Sequence, residues 1–597
     1  MHRQVPVALL AALCVLATLP AGSIAAPGTP PGATVEQPAD HDSPPVVASA
    51  SANDADASGT GTDASANGPD TTANGTTAPA DPESDVRGWE NGRWHNESID
   101  VDASDGLTRN ESARLLNRTM ARVELLRGVE FTEPVDLNFR TRSEVAPLFT
   151  ADNVSHPEAV NAYYEALGLV GEDRDAVEVR REKQAGGAAA FVVTRPVPQL
   201  DLQPGDVTVV LDEGQSAYEE TDLAHELVHT LQVQQLELPF AETSGSADSF
   251  NARRGVVEGE ASHVGYLYQR RCVADWDCVS PDSTESSDLS TAATGVLFLD
   301  IVRYGAGGEF VASLRDDGGW DAVTDAYDRF PASTEQVIHP DRYPGETPQN
   351  VTVPDTSGEA WQPVSVAADT VGESGLFTML WYPSVAAGEQ VVLPQRAGIN
   401  ASLRSQRPFV YDYEHPATTG WDGDRFVPYV SESAGENETA FVWQTAWDSP
   451  EDAAEFREGY LSLLEFRGGT PVEGRQDTFR VPDDRRFGDA FYVAQNGSSL
   501  VIVNAPTVEG LSAVHDGAAP ATETPTPVPT ATDEHTPTLT RTPAPTATPD
   551  TSSPAPTTTD SAPTTATTSG DGPGFGIGLA TLALSLVTAM LVRSRRD

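Results

Sequence analysis

Two stretches that cannot form a hydrophobic core limit what this chain can fold into. Residues 27–85 are mostly Ala, Asp, Ser, Thr, Gly and Pro, and residues 516–572 are rich in Thr and Pro. Neither stretch has enough large apolar side chains to offset the conformational entropy lost on folding. We therefore expect a disordered acidic spacer at 27–85, an extended stalk at 516–572, and folded structure between them.

The residues between these stretches have ordinary apolar content and are too many for one hydrophobic core, so we expect two units, at 86–345 and 355–515. In the first unit apolar side chains recur mostly with helical spacing, and strands are predicted only at 189–194 and 206–212. The predicted fold class is α+β. A mainly helical domain with a small sheet is followed by a smaller α+β domain of unknown role.

Capping and turn residues locate several elements more closely. Ser449 suits the N-cap of a helix, Asn496-Gly497 suits the turn of a hairpin over 489–505, and Thr221 is another predicted N-cap. The predicted helices are 108–127, 157–168, 221–238, 246–271, 289–304, 318–329 and 449–466, with a further strand at 441–447.

The charge of the chain narrows its setting. Lys and Arg total 37 against 89 Asp and Glu, a formal net charge of −52, and Lys183 is the only lysine. Such a chain repels nucleic acid, so no nucleic-acid partner is expected. Acidity spread along the whole chain is typical of a halophilic protein that works in concentrated salt, where screening lengths fall to about 3 Å. An ordinary acidic secreted protein is the alternative.

Both ends of the chain resemble addressing segments. Residues 1–26 combine a basic start, a short apolar run and small residues, as a signal peptide does, although a lone membrane anchor is the alternative. Residues 575–592 are apolar, would span about 27 Å as a helix, and precede the basic tail RSRRD. We expect an exported protein on the cell surface, anchored in the membrane at its C-terminus.

Cysteines and glycosylation motifs agree with an exterior location. Cys14 would leave with the signal peptide, and Cys272 and Cys278 are close enough in sequence to form one small disulfide loop, with two unpaired thiols as the alternative. Nine asparagines occur in the N-x-S/T motif for glycosylation. They are Asn74, Asn96, Asn110, Asn117, Asn153, Asn350, Asn400, Asn437 and Asn496.

The sequence HELVH at 225–229 points to a metal site. On a helix, His225 and His229 lie one turn apart on the same face and can share one ion, while leucines repeat every four residues on another face. Zinc accepts nitrogen and oxygen ligands of this kind, but two histidines alone leave a poor site. Both Glu258 and Glu260, on the next predicted helix, are candidates for a third ligand.

HELVH followed by VVEGEA resembles the gluzincin superfamily of zinc metallopeptidases, which pair HExxH with a downstream glutamate. The resemblance implies a zincin-like domain, a zinc cofactor, a peptide or protein substrate, Glu258 as the third ligand and Glu226 as the general base. It also implies that the strand at 206–212 forms the sheet edge beside the cleft, where substrate backbone can pair with it. Ser262 stands where some members carry an acid that orients a ligand histidine.

The same resemblance implies that a later His or Tyr stabilises the oxyanion of the reaction. His339 is the candidate for this catalytic role, and a histidine packed within a loop is the alternative. Arg253 and Arg254 could pair with a substrate carboxylate, or could form a surface salt bridge.

The C-terminal segment 573–597 with its GPGF sequence resembles the PGF-type sorting signal of haloarchaeal surface proteins. The resemblance implies processing by an archaeosortase-like enzyme and attachment to a lipid. Without processing, the same helix would anchor the chain in the membrane.

Two functions therefore compete. The first is a cell-surface zinc metallopeptidase-like protein that hydrolyses peptide bonds. The second is a glycosylated surface structural or adhesion protein with a vestigial or structural metal site. Glu226 separates them, because a structural zinc site does not need a carboxylate in that position.

Overall fold

The computed structural model describes residues 81–522 apart from a set of short segments. Those segments are 104–105, 150–153, 155, 188–189, 212–217, 237–244, 281–289, 399–410 and 432–437. The predicted signal peptide, the sorting segment, and nearly all of the spacer and the stalk lie outside the described residues. Within the described part, no helix is both long and apolar enough to cross a bilayer.

The chain is a mixed α+β structure in which helices predominate. The helices are α1 (Arg109–Arg127), α2 (Arg142–Phe149), α3 (Pro157–Ala166), α4 (Ala176–Gly187), α5 (Glu220–Gln235), α6 (Ala247–Ala274), α7 (Thr291–Ile301), α8 (Gly305–Asp328), α9 (Thr334–Ile338), α10 (Gly372–Ala387), α11 (Pro450–Phe466) and α12 (Val508–Val514). The strands are β1 (Trp89–Glu90), β2 (Arg93–Trp94), β3 (Leu137–Thr141), β4 (Ala190–Val192), β5 (Val207–Leu211), β6 (Gln362–Pro363), β7 (Trp421–Ser431), β8 (Glu438–Trp447), β9 (Thr470–Pro471), β10 (Thr478–Arg480), β11 (Ala490–Asn496) and β12 (Ser499–Ala505).

The helices predicted from periodicity and capping are confirmed, with ends shifted by a few residues. The predicted segment 318–329 is the second half of α8, which bends at Gly319, where φ is +72°. Ser449 caps α11 as predicted, accepting the backbone N–H of Asp452. The predicted hairpin is formed by β11 and β12.

Seven antiparallel strands form the larger sheet, in the order β6-β7-β8-β12-β11-β10-β9. Alternate side chains along β8 enter different clusters: Phe441 and Trp443 pack with α10 and α11, whereas Val442 packs on the opposite face with Leu511 of α12. Both faces of the sheet are therefore covered.

One hydrophobic cluster crosses the predicted boundary between the two units. Val256 of α6 and Phe310 of α8 belong to the same cluster as Phe377 of α10 and Phe426 of β7. The helices that precede residue 345 and the sheet that follows residue 355 therefore share a core.

The smaller sheet corrects one expectation. Its order is β3-β5-β4, so the strand predicted at 206–212 is central and is not a sheet edge. β5 pairs in parallel with β3 and antiparallel with β4, and both of its faces are buried. The sequence LNFRT of β3 lacks clear alternation, and this partner strand was therefore not predicted. Substrate backbone cannot pair with β5 as proposed for an edge strand.

Glycines allow α6 and α8 to cross at close range. A Cβ atom added to Gly259 would lie 2.3 Å from the carbonyl oxygen of Gly307, and one added to Gly307 would lie 2.4 Å from that of Gly255. Any side chain at these positions would push the helices apart. This contact fixes the height of α6, and with it the position of Glu258, beside the start of α8.

Candidate metal centre

Helices α5 and α6 bring three potential metal ligands together. The Nε2 atoms of His225 and His229 are 3.2 Å apart, and Oε2 of Glu258 lies 3.5 Å from the first and 3.3 Å from the second. His229 and Glu258 are buried, whereas the side chain of His225 is 12% exposed. The open side of the group therefore lies at His225.

The apolar face of α5 orients the histidines. Leu223, Leu227 and Leu231 are buried in one cluster, so the opposite-facing imidazoles turn towards α6. Thr221 is not the N-cap: α5 begins at Glu220, Glu219 occupies the cap position, and no side chain caps the helix.

The start of α5 is held by the buried carboxylate of Glu220. Its oxygens accept from Arg122 at 2.7 Å, from Arg118 at 2.9 Å and from the backbone N–H of Val279 at 2.7 Å. Val279 follows directly on the disulfide between Cys272 and Cys278, whose Cα atoms are 5.5 Å apart. This cluster joins α1, α5 and the end of α6, and the backbone N–H of Glu220 in turn donates to the carbonyl of Val279 at 3.1 Å.

The two oxygens of Glu258 have separate partners. Oε1 accepts from Nη2 of Arg254 at 2.6 Å, which leaves Oε2 facing the imidazoles. Burial alone would raise the pKa of Glu258, but Arg254 and His229 outweigh burial and hold that pKa well below its usual range. Arg254 is itself buried, so it forms neither a surface salt bridge nor a free substrate-binding site.

Gln232 orients the second histidine. Its Nε2 donates to the carbonyl of Val257 at 2.9 Å and to Glu260 at 2.8 Å, so its Oε1 must accept from Nδ1–H of His229, 2.8 Å away. The other ring nitrogen, Nε2, then carries a lone pair directed at the ligand group. Gln232 thus orients the ring of His229, a task for which Ser262 has no carboxylate. Its position three residues after His229, on the same helix, could have been noted in the sequence.

The structure separates the two candidate glutamates. Glu260 bonds to Arg127, Gln232 and Tyr327, and takes no part in the group formed by the histidines. Only Glu258 faces the imidazoles. Glu260 instead anchors the amide of Gln232, since two residues along a helix lie on nearly opposite sides of the axis.

Glu226 is fully buried on α5, between the two histidines in sequence. Its charge acts on His229 and on the neighbouring Asp222: burial, Glu219 and Glu226 together raise the pKa of Asp222 to about 8. The carboxylate therefore lies within electrostatic reach of the ligand group.

Outside these two helices, His339 does not lie where the sequence predicted, and Tyr304 contacts the ligand group without having been predicted to do so. Nε2 of His339 lies 3.1 Å from the buried carboxylate of Glu373, and no contact among the described residues joins it to the histidines. Tyr304, which immediately precedes α8, instead stacks on His225 with ring centroids 6.3 Å apart. Its role was not predicted, because a tyrosine beside a glycine-rich turn has no motif of its own.

Comparison with known proteins adds one match. Residues 362–515 match the model of a family described as a domain of unknown function, DUF8575. This region nearly coincides with the predicted second unit and excludes the ligand group on α5 and α6. No curated protein and no solved structure matches the chain.

Proposed function

We propose that this protein is a cell-surface zinc metallopeptidase of the gluzincin type, with a zincin-like domain at residues 86–345. The observation that carries the proposal is the triangle formed by Nε2 of His225, Nε2 of His229 and Oε2 of Glu258, with sides of 3.2, 3.3 and 3.5 Å.

The donor set fits zinc in number, chemistry and spacing. Around a tetrahedral zinc ion with bonds of about 2.0–2.1 Å, neighbouring donor atoms are separated by about 3.3 Å. Two imidazole nitrogens and one carboxylate oxygen at these separations are the protein ligands of a catalytic site, in which one position stays open. A structural site would more often supply four protein ligands.

The reaction that this arrangement supports is hydrolysis of a peptide bond. Bound zinc would polarise the substrate carbonyl and acidify a water molecule. Glu226 takes a proton from the attacking water and transfers it to the leaving amine as the C–N bond breaks. Gln232 and Arg254 keep His229 and Glu258 in place, and the ring of Tyr304 restricts the movement of His225 at the open side. His339 has no part in this assignment, because its ring bonds to Glu373.

The proposed location rests on the sequence of both ends and agrees with the described surface. Asn96, Asn110, Asn350 and Asn496 are exposed, as glycan acceptors must be, and Asn117 is half-buried. The other motif asparagines, Asn74, Asn153, Asn400 and Asn437, lie outside the described residues. The disulfide suits an oxidising exterior. Attachment by a C-terminal helix, or by lipid after cleavage by an archaeosortase-like enzyme, is part of the proposal.

The test combines metal content with turnover. The purified protein should contain one zinc ion per chain and should cleave members of a broad peptide library in molar salt, with cleavage abolished by a chelator. Glu226→Gln should retain zinc and lose about 10²–10⁴-fold in rate, because only the proton transfer is removed. Glu258→Ala should lose the zinc.

The competing function has a distinct signature. If wild type and Glu226→Gln bind zinc equally and neither cleaves any peptide, the site is structural. The glycosylated surface or adhesion protein would then be the better description.

A further inference from the structure

Three carboxylates meet at a second place, between the helices and the larger sheet. They belong to Glu165 near the end of α3, Glu172 in the following loop and Asp489 just before β11. One oxygen from each lies within 4.8 Å of the others. Glu165 and Asp489 are buried, and Glu172 is exposed at the mouth of the group.

The carboxylate of Glu165 points to a missing partner. Its side chain is only 8% exposed, and its Oε1 atom has no hydrogen-bond partner. The other two acids are partly satisfied: Asp489 accepts from Asn504 at 2.8 Å, and Glu172 accepts the backbone N–H of Gly488. A buried carboxylate without a donor, directed at two further acids, requires either a proton or a cation.

No arginine among the described residues forms an ion pair with these three acids, although the charge of Arg467 acts on Glu165 and the charge of Arg480 acts on Glu172 and Asp489. Arg480 pairs with Asp483 instead. Arg467 is buried nearby and stacks on Phe487, with its guanidinium carbon 4.2 Å from the ring centroid, but within the described part of the chain it forms no ion pair with the three acids. Arg174, beside the same cleft, pairs with Glu182 at 2.8 Å.

In another acidic group of the same molecule, an arginine of the chain neutralises the carboxylates. Glu335, Glu346 and Asp448 also bring three carboxylate oxygens together. There Nη1 of Arg342 bonds to all three, at 3.1 Å from Glu346 and 3.4 Å from Asp448. The chain places a cation in direct contact with that group, whereas among the described residues no Arg or Lys forms an ion pair with Glu165, Glu172 or Asp489.

We propose that Glu165, Glu172 and Asp489 hold a divalent cation of the calcium class at the junction between α3 and β11. Ca²⁺ binds six to eight oxygens at about 2.3–2.6 Å, so its ligand atoms can lie up to about 5 Å apart, whereas Mg²⁺ requires shorter bonds and stricter geometry. A cleft of about 310 Å³, lined in part by Glu165 and Glu172, offers room for water ligands. An all-oxygen group without histidine or cysteine disfavours zinc.

The electrostatic cost of the group without a cation supports the assignment. Burial and the neighbouring acids raise the pKa of Glu165 well above its usual range, and burial above all raises the pKa of Asp489 to about 7. A bound cation would stabilise the ionised form of each carboxylate.

The site would join two parts of the chain. Glu165 and Glu172 precede the region matched by the domain family, and Asp489 lies within it. The loop carrying Glu172 already lies against the connection between β10 and β11, because the backbone N–H of Glu172 donates to the carbonyl of Arg486 at 2.9 Å and a Cβ on Gly171 would lie 2.5 Å from that same oxygen. A cation here would hold the helices on the sheet.

The experiment uses the whole purified protein, stripped with EDTA and titrated with CaCl₂ or MgCl₂ in buffered NaCl. Calorimetry measures binding, and thermal unfolding measures its effect on stability. Ca²⁺ should bind and raise the unfolding temperature by a few degrees, with a smaller response to Mg²⁺. Glu165→Gln should weaken Ca²⁺ binding by at least about tenfold, since a charged ligand is lost.

Two matched variants make the result specific. Glu335→Gln alters a buried acid in the group that Arg342 fills, and His225→Ala disables the zinc centre, so both should retain the full response to Ca²⁺. Glu165→Gln should be at least as stable as wild type without metal, which separates lost binding from lost folding. An absent Ca²⁺ response in wild type, or an unchanged response in Glu165→Gln, would overturn the proposal and leave the zinc centre unaffected.

Discussion

Glu258 and Glu165 are both buried helix carboxylates, and their surroundings are opposite. Glu258 has Arg254 on one oxygen and two imidazoles beside the other, and its pKa lies well below the usual range despite burial. Glu165 faces two further acids, and its pKa lies well above that range. Burial is common to both, so the neighbours decide whether the charge is kept. The chain itself keeps Glu258 ionised, whereas ionisation of Glu165 would require the cation proposed above.

The same contrast holds for the support around each group. At the proposed zinc centre, Gln232 links His229 to Glu260, which is held in turn by Arg127 and Tyr327. At the acidic group, within the described ranges of the chain, side-chain support consists of one bond, from Asn504 to Asp489. A supported site favours tight and selective binding, and a loosely supported one favours a flexible ion such as Ca²⁺.

The most sensitive test of this contrast replaces each of the two carboxylates by glutamine and measures the free energy of unfolding in the presence of a chelator. Glu258→Gln should lower that free energy by about 3–5 kcal/mol, because Arg254 would remain buried without its counter-charge. Urea unfolding measures the change. The double variant Arg254→Met with Glu258→Gln should recover most of the loss, and a single variant as stable as wild type would show that Arg254 finds other partners.

A second test concerns support for the ligand histidine. Gln232→Met keeps the side-chain volume but removes the acceptor for Nδ1–H of His229, and should weaken zinc binding by about 10–100-fold. Competition with a chromogenic chelator gives the affinity. The control is Gln235→Met, on the exposed side of the same helix, where the amide donates to the carbonyl of Glu130 and to the hydroxyl of Thr132, both outside the centre. Equal affinities in both variants would mean that Gln232 does not orient the ring.

Glu165→Gln should have the opposite sign to Glu258→Gln. Without divalent ions at pH 8, it should raise the free energy of unfolding by about 1–2 kcal/mol, because it removes an acid whose ionised form is disfavoured by burial and by the neighbouring acids.

The pH dependence of that gain follows from the raised pKa. The folded state holds its proton more tightly than the unfolded chain, so wild-type stability falls as pH rises from the ordinary carboxyl range, near 4, through the raised value, about 7 for Asp489. The gain should therefore be absent near pH 4 and should grow as pH rises, because the pKa of Glu165 lies well above its usual range in the folded state. Urea unfolding at several pH values measures it, and a gain that is constant with pH would exclude titration of this group.

The ligand group on α5 and α6 could be predicted from the sequence better than the acidic group at Glu165. HELVH and its leucine spacing predicted α5 and both histidines, because neighbours along a helix also lie close in space. Choosing Glu258 over Glu260 needed the family resemblance. The group at Glu165 could not be predicted, since Asp489 approaches it only through tertiary packing.

Among whole elements, α10 was missed for a physical reason. Its sequence GESGLFTMLWYPSVAA is buried on nearly every side, so it has no polar face and no periodic signal. β5 was found as a strand, but its central position depends on β3, whose half-polar sequence gave little indication of a partner. The periodicity of apolar residues predicts a helix or strand when one face of that element meets water. It gives no such signal for an element that is buried on all sides in a shared core.

The smallest expected effect concerns His339. Its Nε2 bonds to Glu373, and although burial lowers the pKa of His339, that carboxylate raises it above the usual value. His339→Gln can retain a donor to Glu373, so peptide cleavage should fall by less than about tenfold, whereas removal of an oxyanion donor typically costs about 10²–10³-fold. Steady-state kinetics with a cleaved library peptide measure the effect, and unfolding of the same variant shows whether the pair with Glu373 stabilises the fold. If cleavage instead slows by about a hundredfold or more while stability is unchanged, His339 must leave Glu373 during the reaction, and the ring beside Glu373 marks only the resting state.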